Sequence, residues 1–295
     1  MEVKVTLTKV DNDRILHITN NTLKSLGWEM FMVEGNFGNQ MPPVKPNGWY
    51  KLNLEKSRPL IRNAKIVTFL TYKGELFSYR IENDKLTKIE PDRRVSLYSP
   101  FVCITGYQGS GTSIILKSLR YFGCHAGDDC GDFINRKAHE SVVLRMWNNY
   151  VRCGDFSKEI IEESFYNAMG TYNYQEGKVN VFKDLHMGDS KQLVNFIPNI
   201  KFISVIKHQH KNTLSPEGRK FSQADELEIF KVQNPQLEGQ PIFHLDWNRY
   251  FTDMTYCQKL LNYVGLNINL DEDKFNKMLK AINFDTNKLK KDGSN

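Results

Sequence analysis

Three stretches of the sequence hold residue types that bind anions. In the first, Gly106-Tyr107-Gln108-Gly109-Ser110-Gly111-Thr112-Ser113 joins the apolar run Phe101–Thr105 to a segment whose apolar residues Ile114, Ile115, Leu116, Leu119 and Phe122 recur at helical spacing. Glycines at 106, 109 and 111 let the backbone turn tightly and bring its N–H groups close to an anion. The helix that follows adds its own unpaired N–H groups and its positive dipole end. A phosphate or sulfate group fits such a cradle. In the second stretch, Lys207 follows the apolar run 201–206 and Ser215 comes eight residues later; a cation and a hydroxyl so placed grip one phosphate from two sides. The third is Lys183-Asp184, which closes the strand-like Lys178-Val179-Asn180-Val181-Phe182.

All three lie where a strand is expected to end. Helical apolar spacing over 135–151 and 157–169, a short helix near 189–197, a strand over 241–245 and a helix over 255–264 stopped by Gly265 complete an alternation of strand and helix. That alternation predicts an α/β fold, a doubly wound parallel sheet whose ligands sit at the carboxyl ends of the strands. Residues 1–97 read differently. Short alternating stretches at 3–7, 14–18, 29–33, 49–52, 65–70 and 76–81, separated by turn-forming clusters, predict a small all-β sandwich. Its aromatics Trp28, Phe31, Phe37, Trp49, Tyr50 and Tyr72 either pack the core and edges or line a sugar-binding face. The sequence thus divides into a β-sandwich domain of unknown role over 1–97 and a second domain over 98–295, with the linker beginning at Pro91-Asp92-Arg93-Arg94.

With 295 residues, 40% hydrophobic and 25% charged, the chain is long enough for two cores and has the balance of a soluble globular protein. The formal charge of +6 is spread along the chain, which suits an anionic small molecule or glycan and argues against nucleic acid. Apolar runs fall short of the roughly 18 residues a membrane span needs. The charged start MEVKVTLTKV lacks the apolar core of a signal peptide, so a cytoplasmic location is expected. The five cysteines, Cys103, Cys124, Cys130, Cys153 and Cys257, are scattered and odd in number, which is not a disulfide framework. Cys124-His125 with Cys130 suggests zinc, but no CxxC pair completes a site, and free thiols are expected.

The first loop has the spacing of the phosphate-binding pattern G-x-x-x-x-G-K-[ST], with Thr112 where the lysine belongs. ATP- and GTP-cleaving enzymes use that lysine on the phosphates, so ordinary nucleotide hydrolysis is disfavoured. Ser110-Gly111-Thr112-Ser113 instead resembles the (R/K)-S-G-T-(S/T) loop of the sulfotransferases, P-loop-fold enzymes that use 3′-phosphoadenosine 5′-phosphosulfate. Lys207 with Ser215 is similar to that family's R-x-P-x-x-x-x-x-S, whose arginine and serine hold the 3′-phosphate. The resemblance is greatest toward bacterial and phage-type members. It extends through Gly123-Cys124-His125-Ala126-Gly127-Asp128-Asp129, Asn135 to Glu140, Lys183-Asp184, Phe243-His244-Leu245-Asp246-Trp247 and Tyr263-Val264-Gly265-Leu266. It covers about residues 99–268 and none of the first 97.

The resemblance implies transfer of a sulfuryl group to a hydroxyl or amine, with a carbohydrate as the favoured acceptor and no metal. The donor's 5′-phosphosulfate would rest on Gly106, Gln108, Gly109, Ser110, Gly111, Thr112 and Ser113, and its 3′-phosphate on Lys207 and Ser215. Two departures matter. Gly109 replaces the family's basic residue, and Lys207 keeps the charge of an arginine without its bidentate fork. Lys183 is the candidate replacement cation, His186 and Glu140 are candidate general bases, and Asp128 and Asp129 cap the next segment or meet the acceptor. Two other readings stay open. One is a catalytically inactive nucleotide- or glycan-binding protein on the same fold. The other is a P-loop kinase or NTPase with a degenerate loop, in which Asp184 holds magnesium through water. The polar segment 216–239 is expected to form a lid or loop near the donor, and the tail from 285 to fray.

Overall fold

The computed structural model describes residues 2–31, 39–96, 100–106, 111–127, 141–152, 154–184, 193–194, 197, 199–206 and 239–284. The chain forms two compact units, and the first is discontinuous: Met1–Arg93 with Gly127–Tyr174, against Arg94–Ala126 with Gln175–Asn295.

The first unit begins with strands whose alternate residues face inward. β1 (Val3–Val10) and β2 (Asp13–Asn20) pair antiparallel, and β5 (Gly48–Asn53) pairs with the other edge of β2. A second antiparallel sheet has the order β4-β3-β6-β7-β8, from β3 (Gly27–Phe31), β4 (Asn39–Gln40), β6 (Ile66–Leu70), β7 (Leu76–Glu82) and β8 (Lys85–Ile89). The turn joining β7 to β8 uses Asn83 and Asp84 at φ 48° and 62°, the left-handed pair that a two-residue hairpin requires. Leu16 and Ile18 of one sheet share a single core with Trp28, Met30, Val67, Phe69 and Ile81 of the other. Trp28 stacks on Phe69 with ring centres 6.0 Å apart and donates its indole N–H to the Pro42 carbonyl at 2.8 Å. A one-turn helix, α1 (Pro59–Arg62), precedes β6.

Helices α3 (Val142–Met146) and α4 (Lys158–Tyr172), separated by a π-helical stretch Trp147–Arg152, also belong to this unit. Ser141 and Ser157 cap them by accepting the N–H groups of Leu144 and Ile160. Ser164 donates its hydroxyl to the Gly74 carbonyl, and the Asp92 N–H donates to the Tyr166 carbonyl. Val142 joins Phe31, Ile66 and Ile89 in a small apolar cluster. The sequence reading put these residues with the second domain. Helical spacing shows that Ile161, Phe165, Ala168, Met169 and Tyr172 make a buried face, but not which sheet buries it.

The second unit is built on a four-stranded parallel sheet of order β10-β9-β11-β12, making the protein a mixed α/β structure. Its strands are β9 (Phe101–Thr105), β10 (Asn180–Asp184), β11 (Ile200–Ile206) and β12 (Ile242–Asp246). β9 is buried along its whole length, as an interior parallel strand must be, and its sequence is accordingly a continuous apolar run. Helix α2 (Thr112–Tyr121) follows β9. After β12 come α5 (Trp247–Thr252), α6 (Met254–Val264) and α7 (Glu272–Ala281), each started by an aspartate cap: Asp246, Asp253 and Asp271. Gly265, at φ 94°, ends α6 where the sequence placed the stop.

Candidate functional site

Parallel pairing aligns the carboxyl ends of β9, β10 and β11. Lys183 lies opposite Ile104 and Asp184 opposite Thr105 on one side of β9, and Ser204 lies opposite Thr105 on the other. Gly106 leaves the sheet there, and the chain enters α2 through Gly111, whose φ of +88° is left-handed. The Gly111 carbonyl accepts the first helical hydrogen bonds, from Ile114 at 3.0 Å and Ile115 at 3.3 Å. The N–H groups of Thr112 and Ser113 therefore belong to the open end of the helix, where an anion is stabilised.

Lys183 reaches this end. Its Nζ donates to Ser113 Oγ at 3.0 Å, across the gap between the end of β10 and the first turn of α2. Two residues singled out separately in the sequence, one in the glycine-rich loop and one at a neighbouring strand end, thus meet. Thr112 is buried, while Gly106, Gly111, Ser113 and Lys183 keep part of their surface open. Gln108, Gly109, Ser110, Glu140, His186, Lys207 and Ser215 lie outside the described residues, as do Asp128 and Asp129.

The chain leaving α2 supports the edge of β10. The His125 N–H donates to the Val179 carbonyl at 2.9 Å, and the Val181 N–H donates to the His125 carbonyl at 2.7 Å. The buried Asn180 amide donates to the carbonyls of Gln175 and Lys178, fixing the turn into that strand. Burial pushes the Cys124 thiol up to about 12, and burial does the same to Cys257. Both are thiols at neutral pH. Among the described residues, no three His, Cys, Asp or Glu side chains cluster as metal ligands would, and no helix is long and apolar enough to cross a membrane.

Trp247 was given no role from sequence. It is the first residue of α5, at the carboxyl end of β12, and its indole lies against the Gly111 backbone: a Cβ added there would sit 2.8 Å from Cδ1 and 3.0 Å from Cε2. Position was the available signal, because residues just past a parallel strand's carboxyl end border the ligand crevice.

The first unit also contains an open groove of about 830 Å³ between β7 and α4, bordered by Phe77, Tyr79, Glu75, Glu90, Glu159 and Glu163. Lys73 and Lys88 also line it, but its carboxylates outnumber them and disfavour a polyanionic donor, and none of the anion-binding residues read from sequence lines it. The aromatics proposed for a sugar face divide. Trp28 and Phe31 are buried, Trp49 is 69% exposed with Lys51 over its ring, and Phe37 lies outside the described residues.

No family model matches this chain, and no curated protein matches it in sequence. Among solved structures it is similar to a sulfotransferase from Mycobacterium tuberculosis H37Rv, at 11% identity and TM-score 0.37, covering 66% of this chain and 76% of that one. The sulfotransferase domain of the Synechococcus PCC 7002 olefin synthase gives 10% identity and TM-score 0.33, over 65% and 83% of the two chains. Retinol dehydratase, in complex with androsterone and the inactive cofactor PAP, gives 12% identity and TM-score 0.30, over 75% and 74%. Overlaps this loose establish neither family nor activity.

Proposed function

We propose that this chain is a sulfotransferase that moves a sulfuryl group from 3′-phosphoadenosine 5′-phosphosulfate to a hydroxyl or amine, with a carbohydrate hydroxyl as the favoured acceptor. The observation that carries the reading is the 3.0 Å hydrogen bond from Lys183 to Ser113, which brings a cation to the open end of α2 in a chain with glycine at 109. The fit to the donor rests on that cation, on the left-handed Gly111 that opens the helix, and on the N–H groups of the first turn.

On this reading the backbone of 106–113 binds and orients the 5′-phosphosulfate, and Lys207 with Ser215 holds the 3′-phosphate. The acceptor oxygen forms a new S–O bond as the S–O bond to the donor phosphate breaks. Lys183 offsets the negative charge that gathers on the departing phosphate oxygen, and His186 or Glu140 takes the acceptor's proton. Positioning and charge compensation supply the acceleration, so no metal is called for. The parallel sheet with α2 forms the core of a doubly wound P-loop domain within 98–295, the two antiparallel sheets form the sandwich within 1–97, and the protein works in the cytoplasm.

Calorimetric titration with 3′-phosphoadenosine 5′-phosphate tests the reading. Binding without magnesium is expected. Lys183→Ala should bind the nucleotide within a factor of about 3 of the parent, yet lose about 100-fold or more in turnover of the sulfuryl donor. Folded protein that fails to bind, or binds only with magnesium, overturns the proposal; binding with no turnover by the parent leaves the inactive binding protein.

A further inference from the structure

We infer that Trp247 is the positioning residue of the anion cradle, setting the entrance to α2 through its contact with Gly111; the inference deepens the sulfotransferase reading and rests on it. The nitrogen edge of the indole meets Gly111: Nε1 lies nearest to where a Cβ would be, with Cδ1 and Cε2 at 2.8 and 3.0 Å. A rigid ring at that distance fixes the height of the residue from which the first turn of α2 hangs. Trp247 meets no nucleotide in this account, and acts only through the glycine.

Several contacts hold the ring in place. Asp246, just before it, caps α5 by accepting the Arg249 N–H at 3.0 Å and donates its own N–H to Tyr256 Oη at 3.0 Å. Phe251 and Phe284 pack edge-on against the indole, with ring centres at 5.1 and 5.4 Å, and stack on each other at 4.1 Å. A second bond joins α5 to α2: the buried Tyr250 hydroxyl and Ser118 Oγ lie 2.8 Å apart. Gly111 and Ser118 are about two helical turns apart, so α5 holds α2 along its first turns and not at a single point. Aromatic packing orients Trp247, Trp247 seats Gly111, and Gly111 aims the N–H groups and Ser113 at the anion.

Tryptophan emission gives a readout specific to this role, because Trp28, Trp49 and Trp147 all belong to the first unit. Titration of the full chain with 3′-phosphoadenosine 5′-phosphate, and separately with inorganic pyrophosphate, should change the emission. Trp247→Phe, with an unchanged melting temperature, should lose that change and bind both probes about tenfold more weakly, a loss of roughly 1.4 kcal/mol. If Trp247→Phe does not fold, Phe284→Leu leaves α2 untouched and should weaken binding in the same direction by a smaller factor. A folded variant that binds like the parent, or keeps its emission change, overturns this inference alone. A parent that binds neither probe overturns the sulfotransferase reading together with it.

Discussion

Each unit of the protein presses a glycine against a neighbour, one inside a helix and one just before a helix, and the two contacts differ in kind. In the first unit, a Cβ on Gly170 of α4 would overlap the carbonyl oxygen of Glu90 just past β8 and come within 3.4 Å of Ile89 Cγ2. In the second, a Cβ on Gly111 would run into the Trp247 ring. The first obstacle is main chain and has no room to move, whereas the second is a single side chain. Gly170 has ordinary helical neighbours on both sides and allows two elements to dock. Gly111 is left-handed and stands two residues from the hydroxyl that receives the Lys183 ammonium. Close approach alone marks packing. Close approach with an unusual backbone and a cation bonded to the following helical turn is what separates Gly111 from Gly170.

Substitutions can break that contrast. Gly170→Ala should have the largest effect on stability: helix propensity alone would gain about 1 kcal/mol, but overlap with a main-chain oxygen costs roughly 3 kcal/mol, for a net loss of about 2 kcal/mol in urea unfolding. A raised urea midpoint would remove the distinction between the two glycines. Gly111→Ala should cost about 1–2 kcal/mol of stability, from left-handed strain and from displacing the Trp247 ring, yet weaken 3′-phosphoadenosine 5′-phosphate binding by about tenfold or more. Equal losses of stability and binding in both variants would show that the two contacts do the same thing.

The smallest effect belongs to the ion pair that ties α3 to β3. Arg145 donates to Glu29 at 2.8 Å; burial raises the Glu29 carboxyl above its ordinary value, and Arg145 opposes the rise. Because the folded state holds this proton more tightly than the unfolded chain, its contribution to stability is greatest below the unfolded value and declines as pH rises through the folded one. Arg145→Met should cost about 1 kcal/mol near neutral pH, where the carboxylate loses its partner, and less in acid. Melting temperatures of parent and variant should therefore diverge as pH rises from about 4 to 7; parallel curves would mean that the pair does not hold α3.

Much of the second unit was legible because its strands are short apolar runs ending in conspicuous residues. β9, α2, β11 and β12 lie within a residue or two of the expected spans, and β10 runs two residues further than expected, so that Lys183 and Asp184 belong to the strand. Its aspartate-capped helix α7 went unread although Phe275, Met278 and Leu279 have helical spacing. The hairpins of the first unit were legible from alternation and from turns such as Asp11-Asn12-Asp13 and Lys73-Gly74, but β8 and its Asn83-Asp84 turn were not. What the sequence could not convey was partnership. The buried face of α4 looks the same whether a parallel or an antiparallel sheet covers it, and the π-helical stretch Trp147–Arg152 carries an ordinary helical pattern. Trp28 and Trp49 were equivalent as sequence, yet one is a core residue and the other an exposed one, because strand register decides which face a side chain occupies. In the candidate site, residue types identified Lys183 and Ser113 separately, but only the parallel register of β9 and β10 makes them neighbours.

The interrupted first unit has a consequence for biosynthesis. Its last helix ends at Tyr172, after β9 and α2 of the other unit have already been made. At about 5–20 residues per second of translation, the ribosome needs several seconds to go from the end of β8 to the end of α4. During that interval β9, an apolar strand with β10 and β11 still unmade, waits without its sheet partners. The second unit is therefore the last to assemble, and a nascent chain stalled just past residue 174 would carry every described element of the first unit alongside an orphaned strand, an obvious target for a chaperone.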